Sequence, residues 1–169
     1  MTSASPDRAA RPIVLPDLAA THRMAARLAA ALRPGDVVGL AGALGAGKTE
    51  FARAAIGALG GPVEVPSPTF TLVQTYELGD LTLWHFDLYR LAAPEEALEL
   101  DIEDAFAEGI SLIEWPERLG HLMPADWLEL RLGPGACPEA RCAELFGHGR
   151  WAERLGEVER EANDEITHG

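Results

Sequence analysis

The sequence predicts a three-layer α/β fold, with a mostly parallel central sheet and an added antiparallel hairpin. Three features carry the prediction. Short apolar runs alternate with stretches of helical spacing through the first third of the chain. A glycine-rich loop, residues 42–47, joins one such run directly to a helix. Two alternating segments, Thr69 to Leu78 and Leu81 to Asp87, flank the turn pair Gly79-Asp80, which is the pattern of a hairpin.

Taken in order, Met1 to Pro12 is small, polar and proline-containing, and is expected to be a loose tail. Ile13-Val14-Leu15 is a short strand. Asp17 is placed to cap a helix on which Leu18, Thr21, Ala25, Leu28 and Leu32 recur at helical spacing, until Arg33-Pro34-Gly35 ends it. Asp36 to Ala41 reads as a buried strand and Lys48 to Leu59 as a helix, stopped by Gly60-Gly61-Pro62. Pro94 to Glu108 is acidic and helical, with a break expected near Leu100-Asp101. Ile110 to Ile113 is an apolar strand closed by Glu114, and Trp115-Pro116 turns the chain. Trp127 to Leu132 is a further strand, paired with Ala140 to Phe146, and Trp151 to Asn163 is an amphipathic helix. The organisation is a tail (1–12), one domain (13–150) and a C-terminal helix and tail (151–169), with no repeat or long linker.

Composition narrows the function. At 169 residues the chain buries roughly two-thirds of its unfolded surface without disulfide or metal staples. It carries 27 acids against 14 basic residues, a net charge of −13. Phosphate backbones and anionic lipid repel such a chain, which argues against free-standing nucleic-acid binding and against membrane association. Two cysteines, Cys137 and Cys142, make no disulfide framework and suit a reducing cytoplasm. Cys137, Cys142 and His148 lack a zinc spacing. Thirteen of the basic residues are arginines and one is lysine, Lys48. A lone lysine marks a position where a compact ammonium cannot be replaced by a planar guanidinium.

The neighbours of Lys48 supply the reason. Gly42-Ala43-Leu44-Gly45-Ala46-Gly47-Lys48-Thr49 fits the phosphate-binding pattern G-x-x-x-x-G-K-[ST], after an apolar strand and at the start of a helix. Glycines let backbone N–H groups converge as an anion nest, and the helix N-terminus adds partial positive charge. Lys48 can reach β- and γ-phosphates, and the Thr49 hydroxyl can ligate Mg²⁺. The fold class is therefore P-loop NTPase-like. A dinucleotide fingerprint is excluded, because its third glycine would fall on Glu50. Such a site needs a carboxylate at a neighbouring strand end. Asp87 and Glu114 each close an apolar strand, and either could hold the metal or orient the attacking water. Thr69 is placed like a switch threonine that senses the γ-phosphate. Arg53 and Arg90 are possible phosphate cations, and His85 reads as filling a strand face.

Four blocks in order resemble the TsaE family, the ATPase subunits of the bacterial tRNA threonylcarbamoyladenosine system. They are the loop 42–49, Ser67-Pro68-Thr69-Phe70-Thr71-Leu72-Val73, His85-Phe86-Asp87-Leu88-Tyr89-Arg90-Leu91, and Ile113-Glu114-Trp115-Pro116-Glu117. The resemblance runs from about Ile13 to Leu132. It implies hydrolysis of ATP with Mg²⁺ as cofactor, in a complex with TsaB and TsaD subunits that modifies adenosine 37 of tRNA. By motif position, Gly42, Gly45, Ala46, Gly47, Lys48, Thr49 and Glu50 would hold the nucleotide, and Trp115 would lie beside it. Thr49, Asp87 and Glu114 would serve the metal, and Lys48, Asp87, Glu114 and Thr69 the reaction. The chain departs from the family pattern at Ala43, commonly Asp, and at Glu50, commonly Thr. A small-molecule kinase is the alternative enzyme, disfavoured because no arginine cluster follows the loop. A non-catalytic nucleotide switch is the alternative binding module. Residues 92–119 hold nine acids against Arg118 alone, either a docking face for a basic partner or a solvated surface.

Overall fold

In a computed structural model, residues 8–62, 66–68 and 70–158 are described. Eight strands form one sheet: β1 (Arg8–Ala9), β2 (Ile13–Leu15), β3 (Val37–Ala41), β4 (Val73–Leu78), β5 (Leu81–Asp87), β6 (Ile110–Glu114), β7 (Trp127–Pro134) and β8 (Arg141–His148). Their order is β1-β8-β7-β3-β6-β5-β4, with β2 also pairing with β8. The central strands β5, β6, β3 and β7 are mutually parallel. Antiparallel strands close both flanks: β4 pairs with β5, and β8 pairs with β7. The parallel core and hairpin are those the sequence predicts.

The helices follow from local signals. The Asp17 carboxylate accepts from the Ala20 N–H at 2.8 Å and caps α1 (Leu18–Ala31). Helix α2 (Lys48–Ala58) opens on Gly47, and α3 (Ile102–Glu108) follows a 3-10 segment, Pro94–Leu100. The break expected near Leu100-Asp101 is the left-handed Asp101, φ 58°. Residues 151–158 form α4.

Strands buried on both faces read as continuous apolar runs, and β3 does so because helices cover the sheet on both sides. On one face Leu28 of α1, Phe51 and Ile56 of α2, and Trp151 and Leu155 of α4 pack on Leu40, Leu112 and Leu130. On the other, Ile102 and Ala105 of α3 and Leu119 pack on Val37, Phe86 and Ile113. Gly39 lets Pro116 and Trp127 press on β3: a Cβ there would lie 2.6 Å from the Trp127 ring and 2.9 Å from Pro116 Cβ.

Three boundaries differ from expectation. Order does not begin at residue 13: Arg8 and Ala9 pair with Gly147 and Phe146, and Ala10 N–H donates to Leu145 at 2.8 Å. An unpaired β8 edge offers backbone partners that outweigh the tail's weak propensity. Of the strand expected from Thr69 to Leu78, Thr69 lies outside the described residues and the observed strand starts at Val73. Leu72 takes φ 68°, and its N–H donates back to the Pro68 carbonyl at 2.6 Å, a tight turn rather than an extended segment. Helix α4 belongs to the core of the same domain, and residues 159–169, with the end of the helix expected to reach Asn163, lie outside the described residues.

Candidate nucleotide-phosphate site

The C-terminal ends of β3, β5 and β6 meet at one edge of the sheet, where ligands bind in open parallel sheets. The loop leaving β3 is shaped by its glycines. Gly42 has φ 145°, and a Cβ there would lie 2.5 Å from the Leu132 carbonyl oxygen. Gly47 is left-handed at φ 102° and starts α2 with no side-chain cap, so the first N–H groups of the helix have no side-chain acceptor from the N-cap.

Lys48, 5% exposed, folds back under this loop. Its ammonium donates to the Gly42 carbonyl at 2.6 Å and lies 3.3 Å from the centroid of the Trp115 ring. Burial pushes its pKa below the ordinary 10.5, while the charges of Glu114, Glu117 and Asp87 pull it back up. Trp115 is left-handed, φ 63°, and packs on Tyr89 with ring centroids 5.0 Å apart.

The acids converge through sheet register. Glu114 is the cross-strand partner of Leu40 on one side and of Asp87 on the other. One Glu114 oxygen accepts from the Thr49 hydroxyl at 2.7 Å, and the other contacts His85 Nε2 at 2.7 Å. With Glu114 ionised, Nε2 must carry the proton. His85 is fully buried and Glu114 is 3% exposed. Asp87 is 6% exposed, and its carboxylate accepts from the Tyr89 N–H at 3.1 Å. A hydroxyl and two carboxylates are the hard oxygen donors that suit Mg²⁺, which takes few protein ligands when phosphates and waters complete its shell.

A cleft of about 280 Å³ is lined by Leu44, Gly45, Ala46, Gly47, Lys48, Thr49, Glu50, Asp87, Tyr89, Glu114 and Trp115. The structure thus brings together Gly45 through Glu50, Asp87, Glu114 and Trp115, with Gly42 touching Lys48 from the loop. The Glu50 carboxylate is engaged by His22 at 2.7 Å and lies 3.9 Å from Arg53. Arg53 and Arg90 are not in the cleft lining; the Arg90 guanidinium lies over Phe70, 4.7 Å from its centroid. Thr69 lies outside the described residues. Cys137 and Cys142 are free thiols, and His148 pairs with Glu129 at 2.9 Å.

Two residues escaped the sequence reading. His85 fills a strand face as expected, but its Nε2 also contacts the Glu114 carboxylate at 2.7 Å. Its signal was the i, i+2 spacing to Asp87, which puts both on one strand face. Arg141 donates through Nε to the Ala46 carbonyl in the loop at 2.8 Å; no local pattern signals a contact across 95 positions.

A central strand that ends in this loop, between parallel neighbours with helices on both faces, defines a P-loop NTPase-like α/β protein. The crystal structure of Bacillus subtilis YdiB shares the fold, with a TM-score of 0.75 and 26% identity over 92% of this chain and 97% of that one. Residues 15–140 match the family "Threonylcarbamoyl adenosine biosynthesis protein TsaE", and the chain belongs to it. A Rickettsia conorii protein named tRNA threonylcarbamoyladenosine biosynthesis protein TsaE is 45% identical over 129 residues, 76% of this chain and 74% of that one. A Bacillus subtilis protein of the same name is 40% identical over 110 residues, 65% and 69% of the two chains. The resemblance drawn from the four sequence blocks is thereby confirmed. No helix among the described residues is long and apolar enough to cross a membrane.

Proposed function

We propose that the chain is a Mg²⁺-dependent ATPase of the cytoplasm that supports threonylcarbamoylation of tRNA adenosine 37, working with TsaB and TsaD subunits. The observation that carries this reading is the Thr49–Glu114 hydrogen bond at 2.7 Å. It ties the last residue of the phosphate-binding pattern to a nearly buried acid on the adjacent strand.

On that reading Lys48 exchanges the Gly42 carbonyl for the β- and γ-phosphates, and loop N–H groups take the remaining oxygens. The Thr49 hydroxyl and the Asp87 carboxylate would hold Mg²⁺, directly or through water. Bound Mg²⁺ supplies neutralisation of charge on the phosphates. Glu114, fixed from beneath by His85, orients a water in line with the γ-phosphorus. Attack breaks the bond from that phosphorus to the bridging oxygen and gives ADP and phosphate. The net charge of −13 fits a subunit that reaches tRNA only through its partners.

Phosphate release tests the reading. The purified chain is assayed alone and with TsaB and TsaD, with and without Mg²⁺. Release that needs Mg²⁺ and rises with the partners is the expected result. Partner binding that follows ATP without any release would replace the ATPase by a nucleotide switch.

A further inference from the structure

We propose that Arg141 is a positioning residue of the phosphate loop, holding the Ala46–Gly47 peptide so that its N–H faces the nucleotide. This rests on the ATP-binding reading above and extends it to a residue just beyond the stretch 15–140 that matches the family.

The end of the β7–β8 hairpin packs against the outer side of the loop. The Leu132 carbonyl oxygen abuts Gly42, leaving no space for a Cβ. Arg141, the first residue of β8, fixes its guanidinium at three points. Nη1 donates to the Pro138 carbonyl at 2.6 Å and to the Ala140 carbonyl at 2.8 Å, both in the hairpin turn. Nε then donates to the Ala46 carbonyl at 2.8 Å. Because the guanidinium is planar and its donors form a rigid fork, the two turn contacts dictate where Nε points.

A trans peptide is planar, so the carbonyl of Ala46 and the N–H of Gly47 point in opposite directions. Anchoring the carbonyl on the outer side therefore turns the Gly47 N–H inward. A Cβ on Gly47 would lie 3.3 Å from Arg141 Nε, which places the guanidinium against the back of this residue, while Gly47 itself lines the cleft. Without the anchor this peptide is free to turn, since glycine accepts φ of either sign at little cost. Turned over, it would present a carbonyl oxygen to the phosphates instead of an N–H. Arg141 thus keeps the loop in its anion-binding shape before a ligand arrives, which lowers the ordering cost of binding.

The test compares wild type with Arg141→Ala, Arg141→Lys and, as a control on the exposed face of the same strand, Glu144→Ala. Affinity for a non-hydrolysable ATP analogue and for inorganic tripolyphosphate is titrated, with thermal unfolding recorded in parallel. Arg141→Ala is expected to weaken both ligands by about tenfold, the loss of one charge-assisted hydrogen bond, with Glu144→Ala unchanged. Arg141→Lys recovers little, because one ammonium cannot serve the turn and the loop together. In the partner complex KM for ATP rises while kcat holds, since Lys48, Thr49, Asp87 and Glu114 are untouched. A loss confined to the nucleotide, with tripolyphosphate unaffected, would assign Arg141 to the base or ribose and overturn the brace. Wild-type affinity in a folded Arg141→Ala would overturn it too and leave the ATPase reading standing. If Arg141→Ala does not fold, equal affinity of Arg141→Lys and wild type serves as the overturning result. A wild-type chain that binds neither ligand would remove the ATP-binding reading itself.

Discussion

The Lys48 ammonium lies against the Trp115 ring, 3.3 Å from its centroid, and is held there by the Gly42 carbonyl at 2.6 Å. The ring shields the charge from water on one side, and the loop satisfies one donor on the other. A polyphosphate entering the cleft offers Lys48 a stronger acceptor than a neutral carbonyl.

Nucleotide binding is therefore expected to change the emission of Trp115. The change should vanish in Trp115→Phe and persist when Trp84, Trp127 or Trp151 is replaced by Phe. Lys48→Ala should lower the affinity for ATP by about a hundredfold, the scale for losing a charged partner of a phosphate, and leave the circular dichroism spectrum intact. Unchanged affinity in that variant would sink the phosphate-loop assignment.

Lys48 also sets a pH dependence. Burial lowers its pKa in the folded chain, against the pull of Glu114, Glu117 and Asp87. Between the lowered value and the ordinary 10.5, the unfolded chain binds more protons at this site than the folded one. By linkage, this residue makes the empty protein's stability rise with pH across that window. Bound triphosphate favours the ammonium, so binding should take up a proton there, and affinity should fall as pH climbs. Calorimetric titration at alkaline pH in two buffers of different ionisation enthalpy measures the uptake. Lys48→Met should abolish it.

The acids should separate binding from chemistry. Asp87→Asn and Glu114→Gln are expected to cost about a hundredfold or more in kcat, in the range of positioned acid–base groups, with a smaller loss in nucleotide affinity. His85→Phe, which leaves Glu114 without its contact on one oxygen, should lower kcat less than Glu114→Gln. Single-turnover phosphate release in the partner complex, beside equilibrium binding, reads both quantities. A Glu114→Gln variant that hydrolyses at the wild-type rate would take Glu114 out of the mechanism.

Much of this was legible in the sequence because the signals are local. The strand–loop–helix at 36–59, the hairpin around Gly79-Asp80 and the break at Asp101 each have their cause within a few residues. Asp87 and Glu114 were found because each closes an apolar strand. Tertiary contact decided what the sequence did not show. Arg8 and Ala9 have little strand propensity and pair only because β8 offers an edge. Leu72 reverses the chain at φ 68° where alternation suggested a continuous strand. The i, i+2 spacing puts His85 on the same strand face as Asp87, but its contact with Glu114 spans 29 positions and that of Arg141 with Ala46 spans 95, and no periodicity reaches so far.

Stability should depend on a partly buried ion pair remote from the cleft. Arg154 of α4 contacts both oxygens of Asp36, at 2.5 and 2.9 Å, donates to the Ala31 carbonyl at 2.8 Å, and stacks on Trp151. It joins α4, the end of α1 and the start of the loop-bearing strand. Among the described residues, Arg154→Ala leaves Asp36, 8% exposed, with the Arg33 N–H at 2.7 Å as its remaining donor. The expected cost is about 3 kcal/mol, a fall in Tm of about 8 °C for a chain of this size. A double-mutant cycle with Asp36→Asn should recover part of it, while ATP affinity below the transition stays unchanged.

The isolated chain should not shift tRNA in a gel at physiological salt. Non-specific affinity for nucleic acid comes from cations that displace condensed counterions, and here acids outnumber basic residues 27 to 14. Several of the arginines are already engaged: Arg131 with Glu129, Arg150 with Asp126, Arg154 with Asp36, and Arg141 with three carbonyls. Adding TsaB and TsaD should produce a shift, and adding this chain to them should alter it in an ATP-dependent way. The stretch 92–119 supplies the contrast. Glu103, Asp104 and Glu108 lie on α3, whose apolar residues pack on the sheet face opposite α1 and α2, so charge reversal of Glu103 and Asp104 to Lys should weaken partner binding if this face docks on a basic surface. A tight shift by the lone chain would show that tRNA is gripped directly and that the acidic balance of the sequence misleads.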